Sequence, residues 1–87
     1  MHTVWIPSLH RDLTGGVEQV QLEAGTVREV VEKLDALYPG IEERLCEDGN
    51  LRLHIAVAVN NEITHRKLRQ KLREPSDIHF VPALSGG

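Results

Sequence analysis

Thr26-Val27-Arg28-Glu29-Val30-Val31-Glu32-Lys33-Leu34-Asp35-Ala36-Leu37-Tyr38 is the stretch whose pattern organises the rest of the chain. Val27, Val30, Val31, Leu34 and Leu37 recur at the i, i+3, i+4, i+7 spacing that places them on one helical face. Both ends are marked. Thr26 with Glu29 three residues later forms a capping-box pattern, and Pro39-Gly40 stops the helix after Tyr38.

On the N-terminal side, Thr3-Val4-Trp5-Ile6, closed by Pro7, has the β-branched and aromatic content of a strand, and Val17, Val20 and Leu22 suggest a second. Leu13-Thr14-Gly15-Gly16 lies between them, with paired glycines to supply the positive φ of a turn, so the chain is expected to open with a β-hairpin. On the C-terminal side, Glu42, Glu43, Glu47 and Asp48 cluster around Ile41 and Leu45, which predicts a short helical turn and then a surface loop. Ile55-Ala56-Val57-Ala58-Val59 is an apolar run of strand length, Asn60-Asn61 is hairpin chemistry, and Glu62-Ile63-Thr64 is the short return. Leu68 and Leu72 pin a short helical turn within a basic run. Glu74-Pro75-Ser76-Asp77 is a turn, and Ile78-His79-Phe80-Val81 is the last strand, with Pro82 expected to end the ladder. Two strands, a long helix, a strand, a short return and a final strand fit an α+β domain rather than a doubly wound sheet. The domain is expected over residues 1–82, with a flexible tail at 83–87.

The chain has 87 residues and a net charge of −3, with ten Lys and Arg against thirteen Asp and Glu. A chain this short hides only about two-thirds of the surface its unfolded form exposes, which leaves little room for a deep pocket and argues against a self-contained enzyme. Trp5, Tyr38 and Phe80 are the only aromatic residues, so base-stacking platforms for single-stranded nucleic acid are nearly absent. Cys46 is the single cysteine and sits beside Glu47-Asp48-Gly49-Asn50, an acidic setting unsuited to a thiolate, and it excludes an internal disulfide. His2, His10, His54, His65 and His79 are scattered, without the i, i+4 helical spacing of a metal-binding pair, so no metal is expected. No apolar run reaches the roughly 20 residues of a membrane span and the N-terminus lacks a signal-peptide layout, so the cytoplasm is the expected location.

Arg66, Lys67, Arg69, Lys71 and Arg73 put five cations into eight residues with no acid among them. The net negative charge argues against a nucleic-acid patch. A solvated face and a docking surface for an acidic partner both remain as readings, the latter through charge complementarity.

The sequence ends at Gly86-Gly87. A terminal glycine offers a carboxylate with no side chain beside it, so ATP or a catalytic cysteine can approach closely. The five residues after Pro82 span at most about 17 Å when extended, enough to enter another protein's active site while the globule stays outside. A frayed terminus is the plainer reading.

Phe80-Val81-Pro82-Ala83-Leu84-Ser85-Gly86-Gly87, Val57-Ala58-Val59-Asn60-Asn61-Glu62 before it, and the capped helix followed by Pro39-Gly40 resemble the MoaD/ThiS family of small sulfur-carrier proteins. The resemblance covers essentially the whole chain. It departs at Ser85, where alanine is frequent, and at Leu84, where a smaller valine is common. The resemblance implies the ubiquitin-like β-grasp fold, a mixed sheet packed on one main helix with a flexible Gly-Gly tail. It also implies a carrier cycle in which a ubiquitin-activating-type adenylyltransferase uses Mg-ATP to form an acyl-adenylate at Gly87. A sulfur donor then displaces AMP to leave a thiocarboxylate, and a sulfur-accepting enzyme takes the sulfur. In that cycle Gly86, Ser85 and Leu84 thread a channel, Pro82 aims the tail, and Phe80, Arg66, Lys67 and Arg69 are candidate docking residues. The longer acidic loop around Cys46 to Asn50 resembles the cysteine-synthesis and molybdopterin branches more than the thiamine carrier. The chain itself would be a co-substrate, or the small subunit of a molybdopterin-synthase-type complex. The alternative is a ubiquitin-like modifier joined to target lysines through Gly87.

Overall fold

The computed structural model describes residues 1–7, 10–73 and 75–83, and the predicted helix is present as α1, Val27–Leu37. Its Val27, Val30, Val31 and Leu34 are buried, while Leu37, at the last position of the stripe, is 55% exposed. The Thr26 hydroxyl accepts the Glu29 N–H at 3.2 Å, as a cap should. The return half of the box is displaced by one residue, since the Glu29 carboxylate accepts the N–H of Gly25 at 3.2 Å. A second strap holds the same corner: the Val27 N–H donates to the Gln70 carbonyl at 3.0 Å and the Leu72 N–H to the Gly25 carbonyl at 2.9 Å. Thr26→Ala should lower the unfolding free energy by about 1 kcal/mol, seen as a lower urea midpoint at unchanged slope, and Thr26→Ser should recover most of it.

The strands follow the expected order. β1 (His2–Trp5) and β2 (Gln19–Leu22) pair antiparallel, with Gly15 and Gly16 at φ +67° and +93° in the connection. α2 (Ile41–Leu45) follows α1, and β5 (Ile55–Val59) turns through Asn60-Asn61, both left-handed, into β6 (Glu62–Ile63). β7 (Asp77–Pro82) closes the chain. The five-stranded sheet has the order β2-β1-β7-β5-β6, with β7 parallel to β1 and antiparallel to β5, which makes it mixed. α1 covers one face. Val4, Leu22, Val57, Ile78 and Phe80 from the sheet meet the α1 stripe in a single core, joined by Leu68 and Leu72 from the basic run.

Two expectations need correction. The segment 46–51, expected as a surface loop, is a small hairpin: β3 (Cys46–Glu47) pairs with β4 (Asn50–Leu51) around Asp48 and Gly49, at φ +53° and +79°. Asp-Gly in a two-residue connection is the chemistry of that turn. Pro82 also does not end the ladder. It sits opposite Ile55, and the next residue, Ala83, donates its N–H to the His54 carbonyl at 2.8 Å. Hydrogen-bonded pairs alternate along an antiparallel ladder, so Pro82 occupies a position where β5 asks for no N–H.

His2 is buried with both ring nitrogens used: Nδ1 accepts the Ser76 N–H at 3.1 Å and Nε2 donates to the Ala24 carbonyl at 2.8 Å. This ties the first strand to the approach to the last. No helix among the described residues is long and apolar enough to cross a membrane.

Candidate functional site

Gly87, Gly86, Ser85 and Leu84 lie outside the described residues, and the described part of the site is its root. Pro82 is exposed at the end of β7, and the Ala83–His54 bond fixes the direction in which the chain leaves the sheet. Beside this exit is a pocket of about 100 Å³, lined by Pro7, His10, Leu45, His54, Phe80 and Pro82. Phe80 is 5% exposed and belongs to the core, so what it presents to a partner is confined to that pocket wall.

Burial holds the His10 imidazole below its ordinary value of 6.5, and the nearby Arg44 charge acts in the same direction. Arg44 grips Asp12 in a bidentate pair at 2.8 and 3.0 Å, which holds the exposed Asp12 carboxyl below the usual range. The sign for His10 follows from linkage. The unfolded chain takes up this proton first as pH falls through about 6.5, so stability present above that value is lost on acidification toward the lower folded value. Thermal melts from neutral to mildly acidic pH should therefore show a steeper loss for the wild type than for His10→Gln.

The sheet face turned away from α1 is the second feature. Period-two alternation places Thr3, Trp5, His79, Val81, Ala56 and Ala58 there, opposite the core-facing Val4, Ile78, Phe80 and Val57. Trp5 and His79 are cross-strand neighbours whose rings stack at 5.3 Å between centroids and 9° between planes. The Trp5 indole N–H is covered and has no hydrogen-bond partner among the described residues. Ile63, paired with Ala58 on the edge, is 52% exposed. Sequence reasoning missed this pair, although the alternation that buries Val4 and Ile78 would have sent Trp5 and His79 outward together.

Arg66, Lys67 and Arg69 are all exposed, as expected, around a 3-10 turn at Lys67–Arg69. They do not join the tail root. β7 begins beside Ser76 and ends at Pro82, five residue steps or about 17 Å further along. Cys46 is half-buried, and burial followed by the Glu42 carboxylate pushes its thiol up, so it stays protonated at neutral pH. Among the described residues no group of three or more His, Cys, Asp or Glu side chains is placed to hold a metal.

This arrangement can present a short tail from the end of a rigid strand, with an apolar sheet face beside it. Comparison with known proteins gives the context. The model of the ThiS family matches residues 4–87. The sulfur carrier protein CysO of Mycobacterium tuberculosis is 32% identical over 98% of this chain and 97% of its own length. A chain of the Amycolatopsis orientalis BexX/CysO complex superposes with a TM-score of 0.89, at 30% identity and full coverage of both chains. Small archaeal modifier protein 1 from Methanosarcina acetivorans shares the fold, with a TM-score of 0.78 at 22% identity over 98% of this chain and 94% of its own.

Proposed function

The chain belongs to the ThiS family, and from that premise we propose that it is a sulfur carrier protein, a co-substrate rather than a catalyst, whose reactive group is the Gly87 carboxylate. One observation carries the reading: the family likeness runs from residue 4 through residue 87, and the likeness to a curated sulfur carrier covers 98% of this chain and 97% of that protein. In the proposed cycle a ubiquitin-activating-type adenylyltransferase uses Mg-ATP to join the Gly87 carboxylate to AMP, releasing pyrophosphate. A sulfur donor attacks the acyl carbon, the bond to AMP breaks, and the thiocarboxylate remains.

The chain contributes the handle and the reach. β7, paired with β1 over its first half and with β5 up to Pro82, holds the root, and the four residues beyond Ala83 extend at most about 14 Å. Gly86 lets the tail pass a narrow channel, with Leu84 and Ser85 along its walls. The stacked Trp5–His79 pair and the exposed Ile63 on the same face support docking near the root, since aromatic and apolar surface there suits a desolvated contact.

Among the branches of the family we favour the cysteine-type one, because the full-length curated relative is a CysO sulfur carrier. A molybdopterin-synthase-type role would instead produce a stable complex of fixed stoichiometry with a larger catalytic subunit. The test is an intact mass after co-expression with the cognate adenylyltransferase and a sulfide source. Exchange of one oxygen for sulfur supports the reading, and an unchanged mass with the cognate enzyme overturns it.

A further inference from the structure

The basic run is not absorbed by the tail, the root or the apolar sheet face. It holds five of the chain's ten Lys and Arg residues, in a protein whose net charge is −3. Among the described residues, none of the Arg66, Lys67, Arg69, Lys71 and Arg73 side chains has an ion pair or a side-chain hydrogen bond.

The run is also built rigid. Leu68 and Leu72 anchor it in the core at 5% and 7% exposure, and its backbone is strapped to the start of α1. The Thr64 hydroxyl donates to the Gln70 side-chain carbonyl and accepts the Arg66 N–H at 3.1 Å. Lys67 is left-handed at φ +53°, a conformation that disfavours any residue with a Cβ and that persists only where the surroundings impose it. A surface ordered in advance loses little freedom on binding.

Its shape selects among the cations. Arg66, Lys71 and Arg73, with Asn60, Val59 and Ser76, line an open concavity of about 610 Å³ between the end of β5 and the start of β7. Lys67 and Arg69, singled out from sequence, are not among its lining residues. The concavity lies at the opposite end of β7 from Pro82.

We propose that this concavity docks an acidic surface of the adenylyltransferase that loads the tail. The inference rests on the carrier reading above. A negatively charged protein that brings a carboxylate toward a bound nucleoside triphosphate is repelled at its reactive end. A positive surface about 17 Å behind the tail root at Pro82, matched to an acidic surface set back from the nucleotide, offsets that repulsion and keeps the tail pointed at the nucleotide. A protein partner is favoured over nucleic acid, because the rest of the molecule is net acidic and the three aromatic residues lie elsewhere.

The experiment compares binding of the purified cognate adenylyltransferase to the full chain, to the triple variant Arg66→Gln, Lys71→Gln, Arg73→Gln, and to a control triple Arg11→Gln, Arg28→Gln, Lys33→Gln that removes equal charge from other faces. At about 50 mM salt the first triple should bind at least about tenfold more weakly with a flatter salt dependence, and the control should stay within about twofold of wild type. Melting curves verify that all three chains are folded. Equal losses in both triples, or an unchanged first triple, overturn the proposal. Stronger patch-dependent binding to duplex DNA than to the enzyme also overturns it. Patch-dependent enzyme binding without sulfur uptake keeps the docking surface and overturns the carrier reading. Sulfur uptake without patch-dependent binding does the reverse.

Discussion

Deleting Gly87 is expected to lower thiocarboxylate formation at least about a hundredfold, because it withdraws the reactive carboxyl by one residue, roughly 3.5 Å, when a misplacement of about 1 Å already costs that factor. The new terminus, Gly86, still ends in a glycine carboxylate, so the loss isolates reach from chemistry. Thermal stability should not change, since the observed ladder closes at Ala83 and the core is complete before it. The measurement is the rate of sulfur incorporation by intact mass with the adenylyltransferase, ATP and sulfide, alongside a melting curve. A truncated chain that still loads sulfur at the wild-type rate would sink the assignment of Gly87. High-mass conjugates that vanish with the same deletion would point to the modifier alternative.

Phe80→Ala carries the second large effect. Phe80 pairs across from Val57 and is 5% exposed, so truncation leaves a cavity and should cost about 3–5 kcal/mol. A chain of this length has roughly 4–13 kcal/mol in total, so the variant is expected to lose a quarter or more of its stability. Phe80→Leu, nearer in volume, should keep most of the stability. Urea titrations of both variants decide the matter. If Phe80 acted mainly as a docking residue, alanine would leave the midpoint near wild type and weaken only partner binding.

These two residues also mark how far the sequence could be read. α1 was readable because its cap, its apolar stripe and its Pro-Gly stop agree within fifteen consecutive residues. The β5–β6 hairpin was readable for the same reason, an apolar run followed by Asn60-Asn61. Phe80 was ambiguous because burial depends on which face of β7 meets α1, and that is set by register with β1, more than seventy residues away. The Trp5–His79 stack was hidden by the same separation. The β3–β4 hairpin escaped because only Leu51 of its four paired residues is buried, so the apolar pattern there is too thin and only Asp48-Gly49 signalled it. In the basic run the cations were evident. Which of them border the concavity was not, since the 3-10 turn and the left-handed Lys67 follow neither a helical nor a strand period.

The position of β7 has a mechanical consequence. The strand that continues into the tail is the middle one of the sheet, flanked by β1 running parallel and β5 running antiparallel. A pull on the C-terminus is therefore directed along β7 and across its hydrogen bonds, which lie at right angles to the strand on the β5 side and slant on the β1 side. Two ladders share that load in shear, so many bonds must yield together, whereas a tail leaving from an edge strand could be peeled away bond by bond. Tension from a partner drawing in the last residues would thus load both ladders before it opened the domain.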